Sequence, residues 1–337
     1  MTAPASGSAT PAPAGPSIVT VTLNPAIDHT IRLDELVPGT VLRARSSVRQ
    51  AGGKGVNVAG CLADWRRPED PPIVATGLVG GSNAATFEDF LASKGIIDRF
   101  VRIPGHTRNN IKLLDEAAGD TTDINLPGLT PLPVHMAQLR AVVASETVPG
   151  GIVVLSGSLP PGVPANGYVD MLASLKRDGA RVILDTAGPP LREALAGPAD
   201  SMPWAIKPNQ EELEDVVGES FSDINHMIRA ARSICRRGVG LVVVSRGAEG
   251  ALYVSERAVL LGLAPVLAVG VSVGAGDALV AGLVAALAED AEPEHVARLS
   301  LAFAAAKLAQ IGPHLPNREA VLSRMDAIKI ERREVTG

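Results

Sequence analysis

The chain has 337 residues, 46% of them apolar and only 3% aromatic, and a net charge of −5. This length suffices for one large α/β domain. Acidic and basic residues are interspersed, which excludes the basic tract that nucleic acid or an anionic membrane would require. No run of about eighteen apolar residues occurs, which excludes a membrane span.

Residues 1–16 are mainly Ala, Pro, Ser, Gly and Thr. They have neither the basic start nor the apolar core of a signal peptide, so we predict a disordered tail. The two cysteines, Cys61 and Cys235, are far apart and each stands alone. This excludes a disulfide framework or a zinc motif, and we expect buried thiols in a reducing cytoplasm.

Short Val- and Ile-rich runs bounded by Gly, Pro or polar residues predict buried strands. They are Ile18–Leu23, Ile73–Gly77, Ile152–Ser156, Arg181–Asp185 and Leu241–Ser245. Amphipathic or Ala-rich segments predict helices at Asn83–Lys94, Pro164–Arg177, Ser222–Arg237 and Pro293–Gln310. This alternation favours an α/β fold in which helices cover both faces of a parallel sheet, with ligands at the carboxyl ends of its strands.

Two polar segments, 30–49 and 103–126, interrupt the alternation. Both are rich in turn residues and are patterned like exposed antiparallel strands. They form either a small β-sheet that acts as a lid or two ordinary long loops.

Asp28 follows the first predicted strand, where its carboxylate either holds two sugar hydroxyls or forms a turn. Farther along, Arg108 and Lys112 are four residues apart on an apparent strand and would point to one face. There they either clamp a phosphate or protect an exposed sheet edge.

A glycine-rich turn leads into a helical pattern at two places. The first reads GGKGVNVA at 52–59 and lacks P-loop spacing. There Gly53 permits close approach of a polyol, Asn57 suits hydroxyl groups and Lys54 suits an anion.

The second glycine-rich turn reads GAGDALVAG at 274–282. The backbone N–H groups of Gly274, Ala275 and Gly276 would converge at a helix start, which suits a phosphate. Asp277, in the first turn of that helix, is either a cap or a base that takes a proton from an alcohol.

Polar motifs also follow three of the later strands. Ser156 opens SGSLPPG, whose glycine spacing excludes a nucleophile elbow. Asn209 can cap a helix with Glu212 as its capping-box partner, and the same pair beside an anion can order Mg²⁺ through water. The stretch SRGAEG at 245–250 is either a hairpin turn or a phosphate-binding turn.

Together these motifs resemble the PfkB/ribokinase family of carbohydrate kinases over about residues 17–327. They occur in the order NPAID, GGKG, TRNN, TDINLPG, SGSLPPG, KPNQEE, SRGAEG and GAGD. The chain is most similar to the branch that contains 1-phosphofructokinase, tagatose-6-phosphate kinase and the minor 6-phosphofructokinase. One departure is Ala278, where many relatives have Ser.

The resemblance implies a Rossmann-like domain over residues 17–330, with a small β lid that often makes a homodimer contact. It implies ATP-dependent phosphorylation of a sugar with Mg²⁺. By position, Asp277 would be the catalytic base and the amides of Gly274, Ala275 and Gly276 the anion hole.

The remaining site residues also follow by position. Sugar hydroxyls would contact Asp28, Gly53 and Asn57. The existing phosphate would contact Arg108, with Lys54, Lys112 and Ser156 nearby. ATP and Mg²⁺ would contact Lys207, Asn209 and Glu212, with Glu212 reaching the metal through water. The ATP-loop turn would contain Ser245, Gly247 and Gly250.

Fructose 1-phosphate is the first choice of acceptor, because the two cations near the lid suit a substrate that is already anionic. Tagatose 6-phosphate and fructose 6-phosphate are the alternatives within the branch. A nucleoside or unphosphorylated-sugar kinase and a non-catalytic sugar or nucleotide sensor remain open as well.

Overall fold

A computed structural model describes residues 17–263, 274–308, 310 and 312–333. The predicted tail at 1–16 therefore lies outside the described residues. The strands are β1 (Ile18–Thr22), β2 (Ala26–Leu33), β3 (Ser46–Gly52), β4 (Ile73–Gly80), β5 (Ile97–Asp98), β6 (Val101–Ile103), β7 (Asn109–Asp115), β8 (Asp120–Asn125), β9 (Ile152–Ser156), β10 (Arg181–Asp185), β11 (Ala205–Ile206), β12 (Leu241–Ser245), β13 (Ala251–Val254), β14 (Val259–Leu263) and β15 (Lys329–Arg333).

The α-helices are α1 (Lys54–Trp65), α2 (Ala85–Ser93), α3 (Pro133–Glu146), α4 (Val169–Arg177), α5 (Pro189–Ala196), α6 (Gln210–Val217), α7 (Ile224–Arg236), α8 (Ala275–Ala288), α9 (Pro293–Lys307) and α10 (Arg318–Met325). Among the residues the structure describes, no helix is long and apolar enough to cross a bilayer.

The main sheet has the strand order β15-β14-β13-β12-β11-β10-β9-β1-β4-β5, and β6 also pairs with β4. Strands from β5 to β12 along this order are parallel, whereas β12 to β15 form an antiparallel edge. The five predicted strands are all present. Their Val- and Ile-rich sequences suit a sheet that is buried on both faces.

Helices cover both faces of this sheet, as predicted. One hydrophobic cluster packs α1, α2, α8 and α9 against one face, and a second packs α3, α4 and α7 against the other. Helix α8 is buried along nearly its whole length. It approaches α9 at Gly282, where a Cβ atom would lie 2.6 Å from Ser300 Cα, so only glycine permits this spacing.

A separate four-stranded sheet, β3-β2-β7-β8, forms the predicted lid. Strand β2 pairs antiparallel with β3 and parallel with β7, and β7 pairs antiparallel with β8. The predicted lid boundaries need correction, because strand β2 begins at Ala26 and residues 34–45 contain no strand. Ile103 belongs to β6, which pairs with β4 of the main sheet.

Candidate active site

The site lies where the carboxyl ends of the parallel strands meet the lid. Ser156, Asp185 and Ser245 are the last residues of β9, β10 and β12, and Lys207 directly follows β11. The strand pairing aligns Asp185 with Ser156. Four neighbouring strands therefore direct polar groups toward the same edge, as expected for a parallel sheet.

Helix α8 begins at the second glycine-rich turn. Its N-cap residue, Gly274, has φ +85° and ψ 0°, a left-handed conformation that favours glycine. A Cβ atom here would lie 3.2 Å from Cε of Lys307, and one at Gly276 would lie 3.7 Å from Nζ of Lys207. The turn thus presents backbone N–H groups at the positive end of a helix, with lysine ammonium groups beside it.

Asp277 lies buried in the first turn of α8. Among the described residues no backbone N–H donates to its carboxylate, so the base interpretation remains the prediction for Asp277. Its Oδ2 accepts a hydrogen bond of 2.7 Å from Nδ2 of Asn57. Burial, followed by the negative charge of Asp185, raises the pKa of Asp277 to about 6, while Lys54 and Asn57 oppose this rise. A carboxylate with this pKa can accept a proton near neutral pH.

Helix α1 begins at the first glycine-rich turn and carries Asn57 toward Asp277. Gly53, its N-cap residue, has φ +113°, and a Cβ atom there would lie 2.9 Å from Cγ2 of Thr22. At Gly52 a Cβ atom would lie 2.6 Å from Oδ2 of Asp28. Glycine at position 53 lets α1 begin close to the end of β1, and glycine at position 52 leaves room for the Asp28 carboxylate on the neighbouring lid strand.

Asp28 lies within β2, opposite Gln50 of β3 and Asn110 of β7, so the turn interpretation is wrong. Its Oδ1 accepts a hydrogen bond of 3.3 Å from Nδ2 of Asn110. Burial raises the pKa of Asp28, and the charge of Lys112 opposes this rise. Asp28 lines a cavity between the lid and α8 whose other walls include Thr30, Gln50, Asn57, Lys112, Leu114, Gly274, Lys307, Gln310 and Gly312.

Arg108 precedes β7, so the prediction that Arg108 and Lys112 share one strand is wrong. The guanidinium of Arg108 donates to the backbone carbonyls of residues 24, 25 and 126 at 3.2–3.3 Å. It lines a neighbouring depression with Asn24 and Pro25, whereas Lys112 lines the cavity of Asp28. The structure thus places Arg108 and Lys112 in two neighbouring cavities.

Lys54 and Lys207 converge on the carboxylate of Asp185. Nζ of Lys54 lies 3.2 Å, and Nζ of Lys207 3.3 Å, from the same oxygen, Oδ1. Asp185 is fully buried, yet the two ammonium groups hold its pKa below the usual range despite the opposing effect of burial. Ser156 is also fully buried, and within the described ranges its Oγ has no hydrogen-bond partner.

The predicted capping box at the start of α6 is present. Asn209 Oδ1 accepts from the backbone N–H of Glu212 at 2.7 Å, and Glu212 Oε2 accepts from the backbone N–H of Asn209 at 2.9 Å. Ser245 adjoins this segment, since its N–H donates to the carbonyl of Pro208 at 3.0 Å. The turn that follows contains Gly247 and Gly250, both at positive φ, and joins β12 to β13 as the predicted hairpin.

Two polar residues of this region carry no motif of their own. Asp185 ends a predicted strand, and nothing in the local sequence indicates that two distant lysines pair with it. Lys307 lies on a predicted helix, but it is buried and donates from Nζ to the carbonyl of Gln310 at 2.9 Å. The sequence signal that could have indicated Asp185 is its position at the end of a predicted parallel strand.

Known proteins resemble this chain over most of its length. The model of the pfkB family carbohydrate kinases matches residues 21–320. A 1-phosphofructokinase of Xanthomonas campestris pv. campestris is 48% identical over 291 residues, which are 86% of this chain and 90% of that protein. A 1-phosphofructokinase of Rhodobacter capsulatus is 41% identical, covering 93% of this chain and 97% of that protein.

A solved structure has a similar fold. Phosphofructokinase-2 from Escherichia coli, in complex with fructose-6-phosphate, matches with a TM-score of 0.83 and 29% sequence identity. The match covers 92% of this chain and 98% of that one.

Proposed function

The chain belongs to the pfkB family of carbohydrate kinases, and we propose that it transfers the γ-phosphoryl group of ATP to the free terminal hydroxyl of fructose 1-phosphate. The products are fructose 1,6-bisphosphate and ADP. The observation that carries the proposal is the buried Asp277 carboxylate at the glycine turn of α8, next to a cavity lined by Asp28, Asn57 and Lys112. Similarity to proteins named 1-phosphofructokinase supports this acceptor.

Asp277 is the general base in this proposal. Its carboxylate accepts the proton of the sugar hydroxyl as that oxygen attacks the γ-phosphorus, and the bond from phosphorus to the β,γ-bridging oxygen breaks. The hydrogen bond from Asn57 fixes the orientation of the carboxylate. With a pKa of about 6, Asp277 is mostly ionised at pH 7 and can still take up a proton.

Charge on the transferring group is balanced by fixed positive groups. We assign the backbone N–H groups of Gly274, Ala275 and Gly276 to the phosphoryl oxygens, at the positive end of α8. Lys207 lies next to Gly276, and Lys54 shares the carboxylate partner of Lys207. Phosphoryl transfer depends mainly on positioning and charge neutralisation, which these groups supply.

The acceptor would bind between the lid and α1. Asp28, Asn57 and the backbone at Gly53 are assigned to sugar hydroxyls. Arg108 is assigned to the existing phosphate, because carbonyls use three of its five N–H donors and, within the described residues, the other two have no partner. Lys112 of the cavity wall, whose Nζ lies 3.4 Å from Asp123 Oδ1, adds a second cation. Ser156 has a buried hydroxyl with no hydrogen-bond partner in the described part of the chain.

ATP would bind on the other side of the glycine turn, along Lys207, Asn209 and the turn that contains Ser245, Gly247 and Gly250. Glu212 fits a water-mediated Mg²⁺ contact, since Oε2 is used by the capping box and Oε1 accepts no hydrogen bond from the described residues. Mg²⁺, when bound to ATP, would neutralise the phosphate oxygens. Such ions commonly keep several waters and use few protein ligands.

We further propose that the lid joins two copies of the chain. Ile124 of the lid is 44% exposed and lies on one face of the sheet with Ile31, Ile111 and Leu113. A second copy would cover this face and remove apolar surface from water. The free, buried cysteines Cys61 and Cys235 suit a cytoplasmic location.

A coupled assay of ADP release tests the function with five acceptors: fructose 1-phosphate, fructose 6-phosphate, tagatose 6-phosphate, fructose and ribose. We expect the highest kcat/KM with fructose 1-phosphate. A higher kcat/KM with fructose 6-phosphate or tagatose 6-phosphate would mean that this sugar phosphate is the acceptor. A higher kcat/KM with fructose or ribose would overturn the phosphate-binding assignment. No ADP release with any acceptor would contradict the proposed activity.

A further inference from the structure

We propose that Asp185 is a positioning residue, whose buried carboxylate holds the ammonium groups of Lys54 and Lys207 beside the glycine turn and sets the electrostatic field around Asp277. The inference rests on the proposed function, since it names a further residue for the same phosphoryl transfer. Asp185 contacts the two lysines through Oδ1, and its Oδ2 is buried with no hydrogen-bond partner among the described residues. We assign it a role that acts through the two lysines.

The geometry of Asp185 is that of a clamp for two cations. Its side chain is fully buried at the carboxyl end of β10, and one oxygen, Oδ1, lies 3.2 Å from Lys54 Nζ and 3.3 Å from Lys207 Nζ. Lys54 comes from the first residue of α1, and Lys207 directly follows β11. The carboxylate thus joins two elements that are distant in sequence.

Two ammonium groups this close to one oxygen atom repel each other, and a negative charge between them offsets this repulsion. Asp185 supplies that charge, and the cluster of three residues keeps one net positive charge. That charge lies beside the phosphate-binding turn, because a Cβ atom at Gly276 would lie 3.7 Å from Lys207 Nζ. Without Asp185 the lysines would separate, and the positive charge would lose its fixed position.

The same cluster acts on the base. Asn57 donates a hydrogen bond to Asp277, and the charged or titratable groups coupled to Asp277 are Asp185, Lys54, Lys207, Lys307 and Cys61. Among these, Asp185 raises the pKa of Asp277, whereas Lys54 and Lys207 lower it. Removing the Asp185 charge and removing a lysine charge should therefore shift the titration of Asp277 in opposite directions.

The test compares the pH dependence of kcat/KM for the wild type, Asp185→Asn, Lys54→Met and Lys207→Met. We expect Asp185→Asn to move the midpoint of the acidic limb to lower pH, and each lysine variant to move it to higher pH. We also expect Asp185→Asn to lower kcat by about 10²-fold through misplaced lysines. The substrate ionises identically in every assay, so differences between midpoints report the enzyme.

Asp64 provides a matched control, because it pairs with Lys94 in another part-buried ion pair, near the opposite end of α1 from Asn57. Asp64→Asn should leave the midpoint unchanged. A purely structural role for Asp185 predicts the same result for Asp185→Asn, so an unmoved or raised midpoint in that variant would overturn the inference. If Asp185→Asn does not fold, unmoved midpoints in both lysine variants would overturn it.

A second measurement separates this inference from the proposed function. Carbon-13 NMR of the Asp277 carboxyl group follows its titration directly and requires no turnover. If the wild type is inactive but Asp277 still titrates at lower pH in Asp185→Asn than in the wild type, only the proposed function is contradicted. An unchanged Asp277 titration, together with normal wild-type turnover, would overturn the role of Asp185 alone.

Discussion

At the scale of single residues, the buried carboxylate of Asp277 predicts how activity depends on pH. Only the ionised form can accept the proton of the sugar hydroxyl, and burial raises the pKa of this group from 3.8 to about 6. We therefore expect kcat/KM to fall as the pH decreases through about 6. A pH–rate profile with two parallel buffer series tests this, and activity that stays constant down to pH 4 would contradict the assignment.

Burial of Asp277 also has a consequence for stability. Its folded-state pKa is raised, so its contribution to the free energy of unfolding is most favourable below about pH 4 and is lost as the pH rises through about 6. The ionised group thus costs stability at pH 8, on the order of 3 kcal/mol. Replacement by Asn should remove this cost, so we expect Asp277→Asn to be at least as stable as the wild type at pH 8, which thermal unfolding measures.

The phosphate contact of Arg108 is a second prediction at this scale. Arg108→Ala should raise KM for fructose 1-phosphate by roughly 10- to 100-fold, the effect of losing a charge-assisted hydrogen bond. KM for ATP should change little. Steady-state kinetics with each substrate varied in turn measure both constants.

Arg102 supplies the control, because this arginine of β6 pairs with Asp98 and Glu88 at a distance from the cavity. Arg102→Ala should leave both KM values near those of the wild type. Equal increases in the two KM values for Arg108→Ala would mean that Arg108 supports the fold near Asn24 and Leu126 and does not bind phosphate.

At the scale of elements, the start of α8 depends on a left-handed glycine. Gly274→Ala should cost roughly 1–2 kcal/mol in stability, because a Cβ atom disfavours this conformation. It should also press on Lys307, 3.2 Å away, and lower kcat by about 10- to 1,000-fold by shifting the anion-binding amides. Thermal unfolding and ADP release measure the two effects.

Gly218, at the C-cap of α6, is the matched control because its φ of +79° is similar and a Cβ atom there would have no atom within 4 Å. Gly218→Ala should lose comparable stability and keep its kcat. If both variants lose kcat equally, the loss comes from instability, and the turn at Gly274 has no special role.

The sequence predicts these elements to different degrees. Buried parallel strands such as β9 and β12 are Val-rich runs with clear ends, and glycine turns before α1 and α8 are equally plain. Strand β11 has two residues, Ala205–Ile206, too few for any periodicity. Arg108 seemed to share the strand of Lys112 because strand boundaries depend on pairing partners that the local sequence does not contain.

The residues of the candidate site are also predicted from the sequence to different degrees. Asp277, Asn57 and Asp28 lie in motifs whose residue types indicate their chemistry. Asp185 and Lys307 do not, because their surroundings are assembled from distant segments: Lys54 is 131 residues before Asp185. Burial and charge pairing of this kind become visible only when the fold is known.

At the scale of the whole molecule, the exposed apolar lid predicts a dimer. Ile111→Asp combined with Ile124→Asp, at two residues that pair on one face of the lid, should shift the protein from dimer to monomer, because burying the new charges is costly. Light scattering coupled to gel filtration measures the mass. Leu322→Asp on α10 is the control, since Leu322 is 44% exposed, as is Ile124, and lies outside the lid. A wild-type monomer, or a dimer that persists in the lid variant, would contradict a lid-mediated dimer.

The central claim is that Asp277 removes the proton from the acceptor hydroxyl, and Asp277→Asn tests it most directly. ADP release with fructose 1-phosphate is measured beside calorimetric titration with ATP at pH 8. We expect turnover to fall by roughly 10²- to 10⁴-fold, while the affinity for ATP stays within a few-fold of the wild type. Turnover near the wild-type rate in a folded, ATP-binding Asp277→Asn variant would contradict the account.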